Sequence, residues 1–234
     1  MAGMIRRKQV SPVELVQAHL DRAVALAPRL NAFAALDPER ALAQTRQAEA
    51  AVTSGAALAP LHGVPLTIKS CVDLAGVPCA CGSALRRDYI PRHDAPLVAR
   101  LKAAGAMILG NTNVPEFLMA YETNNSVYGR TSNPWDLART PGGSSGGEAA
   151  AIAAGCSAGG VGSDGGGSIR APAHFSGICG LKPTPGRIPL TGHYPPPGGA
   201  FTWIGVVGPM ARTVGDVRAL FESPLKIGVH IDFR

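Results

Sequence analysis

Residues 141–170 read PGGSSGGEAAAIAAGCSAGGVGSDGGGSIR. Two glycine- and serine-rich runs, PGGSSGG at 141–147 and GGVGSDGGGS at 159–168, flank an alanine-rich segment from Glu148 to Ala154. Alanine is the strongest helix former and glycine among the weakest, so the stretch reads as loop, helix, loop. Ile169 to Phe175 follows as a short helical candidate. Upstream, Val64 to Ile68 is a continuous apolar run ending at Lys69, and Ala106 to Leu109 is a second. Runs this short between turn signals read as buried strands. Helices alternating with buried strands predict the α/β class.

The pattern extends to both sides. Ser11-Pro12-Val13-Glu14 is a capping box with proline at the first helical position. Val13, Val16, Leu20 and Val24 then lie on one helical face, and Pro28 is expected to end the helix. Asp37-Pro38-Glu39 opens a helix that runs to Ser54-Gly55. Asp94 is expected to cap a helix to about Ala104, and Val114-Pro115-Glu116 to open one reaching Tyr121. Residues 180–209 contain seven prolines and read as loop. Thr213 to Phe221 reads as helix and Lys226 to Ile231 as a last strand. No internal repeat or linker divides the chain, so residues 1–234 are expected to form one domain.

Composition excludes several classes. Glycine (29) and proline (20) make up about a fifth of the 234 residues, below the roughly 25–30% of low-complexity disorder. The glycines have no three-residue period, so collagen is excluded. With 46% hydrophobic and 16% charged residues, the chain can bury a core. No apolar run approaches the roughly 18 residues of a membrane span. The net charge of +6 is spread along the chain apart from Arg6, Arg7 and Lys8, and aromatics are only 5%. That argues against a nucleic-acid surface. Cysteines 71, 79, 81, 156 and 179 are odd in number and follow no secretory leader, so free thiols in the cytoplasm are expected. Cys79-Ala80-Cys81 lacks a second ligand pair, and no metal or cofactor is expected.

Two short motifs fail on context. Gly143-Ser144-Ser145-Gly146-Gly147 matches the nucleophile elbow GxSxG, but no apolar strand precedes it. Gly160-Val161-Gly162-Ser163-Asp164-Gly165 matches GxGxxG, but more glycines follow it instead of a helix. What stands out is a combination. Consecutive backbone N–H groups before Ser168 can form an oxyanion nest, and a serine beside such a nest is a candidate nucleophile. It needs a base, and none of the six histidines has a spacing that singles it out. Lysine is rare, five against 17 arginines, and Lys69 ends a buried strand. Desolvation there would lower its pKa.

Taken together, these stretches resemble the amidase signature family. The resemblance rests on PGGSSGGEAAAIAAG, GSDGGGSIR and GICGLKPTPGR, with LHGVPLTIKS, LKAAGAMILGNTNVPEF and YGRTSNPW upstream and VGPMARTVGDV downstream. SPVELVQAHL and APRLNAF resemble the family's opening, so the likeness spans about residues 5–222. It implies a central mixed β-sheet flanked by helices and a Ser–cis-Ser–Lys triad. By that resemblance Ser168 is the nucleophile, Ser144 the bridging serine on a cis peptide, and Lys69 the base. The N–H groups of Gly165, Gly166, Gly167 and Ser168 would form the oxyanion hole. Asp164 and Arg170 would brace that loop, and Leu118 would lie near the scissile group.

Two departures stand out. Gly165 takes a position where family members usually carry a larger side chain. The chain is also short for the family, so the resemblance implies an incomplete domain lacking the C-terminal part of the sheet and acyl pocket. The expected activity is hydrolysis of a small-molecule carboxamide through an acyl-enzyme. Glu148 and the segment NSVYGRTSNPWDL resemble general and fatty-acid-amide-hydrolase-like amidases. The alternatives are the glutamine-hydrolysing A subunit of a tRNA-dependent amidotransferase, working with protein partners, and a truncated inactive remnant. An uncovered sheet edge would favour a homo-oligomer.

Overall fold

A computed structural model describes residues 1–196, 198–199 and 201–225. The first helices are α1 (Ala2–Arg6), α2 (Pro12–Leu30) and α3 (Pro38–Thr53), with strand β1 (Phe33–Leu36) between the last two. Then come β2 (Pro65–Lys69), α4 (Pro96–Ala103), β3 (Met107–Thr112), α5 (Gly146–Ala153) and β4 (Gly159–Asp164). The described part ends with α6 (Arg170–Ser176), β5 (Cys179–Gly180), α7 (Phe201–Ile204), β6 (Val206–Ala211) and α8 (Val214–Leu220). The six strands form one mixed sheet in the order β1-β3-β2-β4-β6-β5. The central β3, β2 and β4 run parallel, while β1, β6 and β5 pair antiparallel to their neighbours. The expected α/β class and mixed sheet are what the structure has.

Helices cover both faces. Leu66 and Ile68 of β2 join Leu97 and Leu101 of α4 and Val217 and Leu220 of α8 in one core. On the opposite face, Val16 and Leu20 of α2 and Ala41 and Ala48 of α3 pack on Met107 and Leu109 of β3. The middle of that face belongs to α5, whose Ala149 and Ile152 meet Ile169, Ala173 and Met210. Thr67 and Lys69, alternating with Leu66 and Ile68, reach toward the α5 side.

The glycine run at 159–168 is half strand. Residues 159–164, expected to be loop, form β4 at the sheet centre. The reason is the closeness of α5. A Cβ on Gly160 would collide with Glu148 Oε1 and the Thr67 carbonyl, and one on Gly162 would lie 2.7 Å from Met210 Sδ and 2.9 Å from Ser145 Oγ. Glycine here marks a helix pressed onto a strand.

Other expectations need correction. Pro28 lies inside α2, which continues to Leu30 and ends at Asn31 in the left-handed region (φ 48°). The hydrogen bond that Pro28 forfeits is to the carbonyl of Val24, and Val24 sits on the solvent side at 57% exposure. Val24 is therefore not part of the buried face, which is Val16, His19, Leu20, Ala23 and Leu30. Asp94 does not cap α4. Its carboxylate takes the Ala75 N–H at 2.9 Å and Lys102 Nζ at 2.6 Å. The helix expected from Val114 to Tyr121 shrinks to one 3₁₀ turn, Glu116–Leu118, because Phe117 (φ 48°) and Leu118 (φ 66°) adopt left-handed backbone. Residues 206–209, read as loop, belong to β6, Val206–Ala211. Pro209 is tolerated there because its missing N–H faces the two-residue strand β5, where its carbonyl accepts Leu181 N–H at 3.0 Å. The strand expected at Lys226 to Ile231 lies outside the described residues. The capping box at Ser11 and the Asp37 cap form as expected. Among the described residues no helix is long and apolar enough to cross a membrane.

Gly160→Ala is expected to destabilise the protein at the upper end of the roughly 1–3 kcal/mol typical of overpacking. Gly55→Ala, where a Cβ would meet nothing within 4 Å, should lose only what its positive φ imposes. Urea denaturation of both variants checks this.

Candidate active site

Lys69 is the last residue of β2 and is fully buried. Its Nζ lies 2.7 Å from Ser144 Oγ, 3.0 Å from Ser163 Oγ and 3.3 Å from the Ser163 carbonyl. Burial is the largest influence on this amine and lowers its pKa. The thiols of Cys71 and Cys81 and the carboxylates of Asp164 and Glu148 oppose that shift and do not overcome it. A neutral amine has two N–H donors and one lone pair. Its three neighbours, the Ser144 hydroxyl and the two Ser163 oxygens, all lie within hydrogen-bond distance of the amine.

Ser144 precedes α5, and the Gly143–Ser144 peptide is cis. Glycine is required just before it. A Cβ on Gly143 would lie 2.6 Å from the Ala120 carbonyl, and Gly142 has φ +88° with Pro172 2.8 Å from where its Cβ would be. The next residue, Ser145, donates its N–H to the Ser168 carbonyl at 3.1 Å and so ties the two glycine-rich segments together. Ser144, Ser163 and Ser168 all line one cavity of about 530 Å³. Ser168 Oγ has no hydrogen-bond partner among the described residues.

Between β4 and α6 the loop is built around Asp164. Its carboxylate takes Gly167 N–H at 2.8 Å, Ile169 N–H at 3.0 Å and Arg170 N–H at 3.3 Å, and it pairs bidentately with the Arg170 guanidinium at 3.0 Å. Burial works against ionising Asp164, but Arg170 and these N–H groups outweigh it and bring its pKa down to about 2. One expectation changes here. The Gly167 N–H is committed to Asp164, which leaves the N–H groups of Gly165, Gly166 and Ser168 as candidate oxyanion donors. Leu118, in its left-handed conformation, lines the same cavity.

Glu148 is wholly buried on α5, bonded to the hydroxyls of Thr67 and Thr112, the latter at 2.8 Å. Burial raises its pKa to about 7 against the pull of those hydroxyls and of Lys69. Ser163, His193, Tyr121 and Phe201 were not singled out in the sequence. Ser163 was hidden in a run read as loop. His193 lines the cavity, with Nδ1 bonded to the Pro195 carbonyl at 2.9 Å and Nε2 buried without a hydrogen-bond partner among the described residues. It also lies beside Cys71. Burial alone would hold the Cys71 thiol up, yet the His193 imidazole draws it below its ordinary value. All five cysteines are free, and no cluster of metal-ligating residues occurs among the described residues.

Comparison with known proteins places the chain in a family. The family model described as Amidase matches residues 14–227. The chain belongs to the amidase family. Among curated relatives, this amidase-family chain is 45% identical over 224 residues to the A subunit of the glutamyl-tRNA(Gln) amidotransferase of Acidothermus cellulolyticus, covering 95% of the chain and 43% of the relative. It is 47% identical over 214 residues to the protein of the same name from Roseiflexus castenholzii, covering 91% and 42%. The chain thus spans less than half the length of these relatives. Among solved structures, one described as "an unexpected vestigial protein complex" bearing on the origins of "an s-triazine catabolic enzyme" superposes with a TM-score of 0.90 at 39% identity, covering 95% of this chain and 48% of that one. "Fatty acid amide hydrolase" also superposes at 0.90, with 34% identity and coverage of 94% and 39%.

Glu148 gives a pH test of the buried cluster. Its folded pKa of about 7 exceeds the unfolded value of about 4.3, so the native state holds the extra proton between them. Its contribution to stability is therefore full below pH 4 and is lost as pH rises to about 7. Glu148→Gln should remove this decline, read as the difference between the two proteins' urea-denaturation free energies from pH 4 to 8.

Proposed function

We propose that this chain carries the catalytic core of a serine amidase, with Lys69 as base, Ser144 as relay and Ser168 as nucleophile. The observation that carries this reading is the sealed Lys69 amine, 2.7 Å from Ser144 Oγ at the edge of a cavity that Ser168 also lines. Neutral Lys69 takes the proton of Ser144, which takes that of Ser168, and Ser168 Oγ attacks the amide carbon. The carbonyl oxygen becomes an oxyanion held by the N–H groups of Gly165, Gly166 and Ser168, each worth about 2.7–4 kcal/mol in comparable sites. Ser144 then gives its proton to the leaving amine as the C–N bond breaks and takes back the proton held by Lys69, which is neutral again. Water attacks the acyl-enzyme by the same relay run once more, releasing the acid and restoring Ser168. The five free thiols fit a cytoplasmic setting.

A second reading has its own support. The curated relatives named above are amidotransferase A subunits, and on that reading glutamine would be the amide, cleaved within a multi-protein assembly.

A fluorophosphonate probe tests the core proposal without a known substrate. It should acylate Ser168, fail with Ser168→Ala, and react about 10²–10⁴-fold more slowly with Lys69→Met. Circular dichroism confirms that each variant is folded. A folded wild-type chain that the probe does not label would overturn the proposal and favour an inactive remnant. Ammonia release from glutamine only in a multi-protein complex would favour the amidotransferase reading.

A further inference from the structure

The loop that carries Ser168 is held from several sides. The Gly167 N–H donates to Asp164 Oδ1 at 2.8 Å. The Gly167 carbonyl accepts the Ala171 N–H at 2.7 Å, and the Ser168 carbonyl accepts the Ser145 N–H at 3.1 Å. A Cβ on Gly165 would fall inside the Phe201 ring, with Cζ 2.8 Å away. The Gly166 carbonyl accepts the Tyr121 hydroxyl at 2.6 Å. The N–H groups of Gly165, Gly166 and Ser168 donate to no partner among the described residues. Asp164, Ala171 and Ser145 belong to the same stretch as the loop. Tyr121 reaches it from a segment more than forty residues earlier.

The Gly166 carbonyl and the Gly167 N–H are the two polar groups of one trans peptide unit, so they point in opposite directions. Tyr121 holds one end of that unit and Asp164 the other. Glycine on each side leaves the flanking torsions soft. A unit held at one end only rocks about that attachment and carries the neighbouring Gly166 N–H with it.

The chain is bent to bring Tyr121 there. Phe117 (φ 48°) and Leu118 (φ 66°) are both left-handed, a costly conformation for residues with side chains. The backbone that follows lies against Gly143, where a Cβ would be 2.6 Å from the Ala120 carbonyl oxygen and 2.9 Å from the carbonyl carbon of Tyr121. The Tyr121 ring lies along the glycines, with its hydroxyl 3.2 Å from a Cβ built on Gly166 and Cε1 3.5 Å from one built on Gly167. One short segment thus touches the peptide before Ser144 with its backbone and the loop before Ser168 with its side chain. Burial does not account for this placement, because Tyr121 is 60% exposed.

We propose that Tyr121 is a positioning residue for the oxyanion loop. Its hydroxyl holds the Gly166 carbonyl outward while Asp164 holds the Gly167 N–H, and the free N–H groups of Gly165, Gly166 and Ser168 stay turned to the reacting carbonyl oxygen. The part given to those three N–H groups rests on the proposed amidase reading; the clamp on the peptide unit does not. Tyr121 touches no reacting atom. Its effect falls on the transition state, where charge grows on that oxygen, and not on the binding of an uncharged ligand.

Tyr121→Phe in the full chain removes the hydroxyl and keeps the ring. Its maximal rate of fluorophosphonate labelling should fall about tenfold, with the half-saturating probe concentration unchanged. Its urea midpoint should match that of the wild type, which separates positioning from a general structural role. Tyr89→Phe, whose lost hydroxyl is directed at Asp73, should label as the wild type does. Amide hydrogen exchange followed by NMR reads the clamp without any chemistry. The Gly167 N–H should exchange about tenfold faster in Tyr121→Phe, with the amides of β4 unchanged. Labelling of Tyr121→Phe at the wild-type rate, or a loss confined to the half-saturating concentration, would overturn the proposal and leave the catalytic reading standing. Gly167 exchange that the variant leaves unchanged would also overturn it. A wild-type chain that resists the probe while Gly167 exchange responds as expected is the reverse case, in which the catalytic reading fails and the clamp is supported.

Discussion

An amine sealed from water at the end of a central strand is tolerable only if it sheds its charge or finds a counter-charge. Lys69 has carboxylates in its field, Asp164 and Glu148, but each is committed elsewhere. Asp164 is held by Arg170 and three backbone N–H groups, and Glu148 by two threonine hydroxyls. Burial consequently outweighs their attraction and lowers the lysine's pKa. The amine's hydrogen-bonding neighbours are the two Ser163 oxygens and the Ser144 hydroxyl. The same desolvation that makes a buried lysine expensive also favours its neutral, proton-accepting form.

The rest of the fold is arranged so that this amine and the two serines converge. β2 delivers Lys69, and the segment entering α5 delivers Ser144. The loop leaving β4 carries Ser168. For these to meet, α5 must lie nearly on the sheet. Gly160 and Gly162 of β4 permit that approach, since a side chain at either would strike Glu148, Ser145 or Met210. Glu148, the ionisable group on this buried helix, is taken up by threonines of β2 and β3. Its tendency to stay protonated limits the charge that the tight packing must hold. Asp164 then fixes the following loop by collecting N–H groups from three of its residues.

Much of this was legible in the sequence where local chemistry decides the outcome. The Ser11 capping box, the Asp37 cap and the apolar runs that became β2 and β3 follow from short-range rules, and the structure follows them. Lys69, Ser144, Ser168, Asp164 and Leu118 were named through the family resemblance; Ser144, Ser168 and Leu118 line one cavity, and Lys69 lies behind Ser144. The failures share a cause. Glycine in β4 looked like loop because its reason, contact with α5, is a tertiary fact. Pro209 in β6 looked like a breaker because the two-residue length of β5 is not written locally. Asp94 looked like a cap, but Lys102 and the Ala75 N–H compete for it. Nothing in the sequence showed that the Gly167 N–H would be claimed by Asp164, or that Phe201 would fill the space above Gly165.

The charge state of Lys69 is the central claim, and it can be measured directly. With lysine ¹⁵N-labelled at Nζ, NMR titration of the full chain follows the five lysines individually, and Lys69→Met assigns the one of interest. The account predicts that Lys69 loses its proton below the ordinary lysine range of about 10. If Lys69 loses its proton in that ordinary range, burial has not lowered its pKa and the account is wrong.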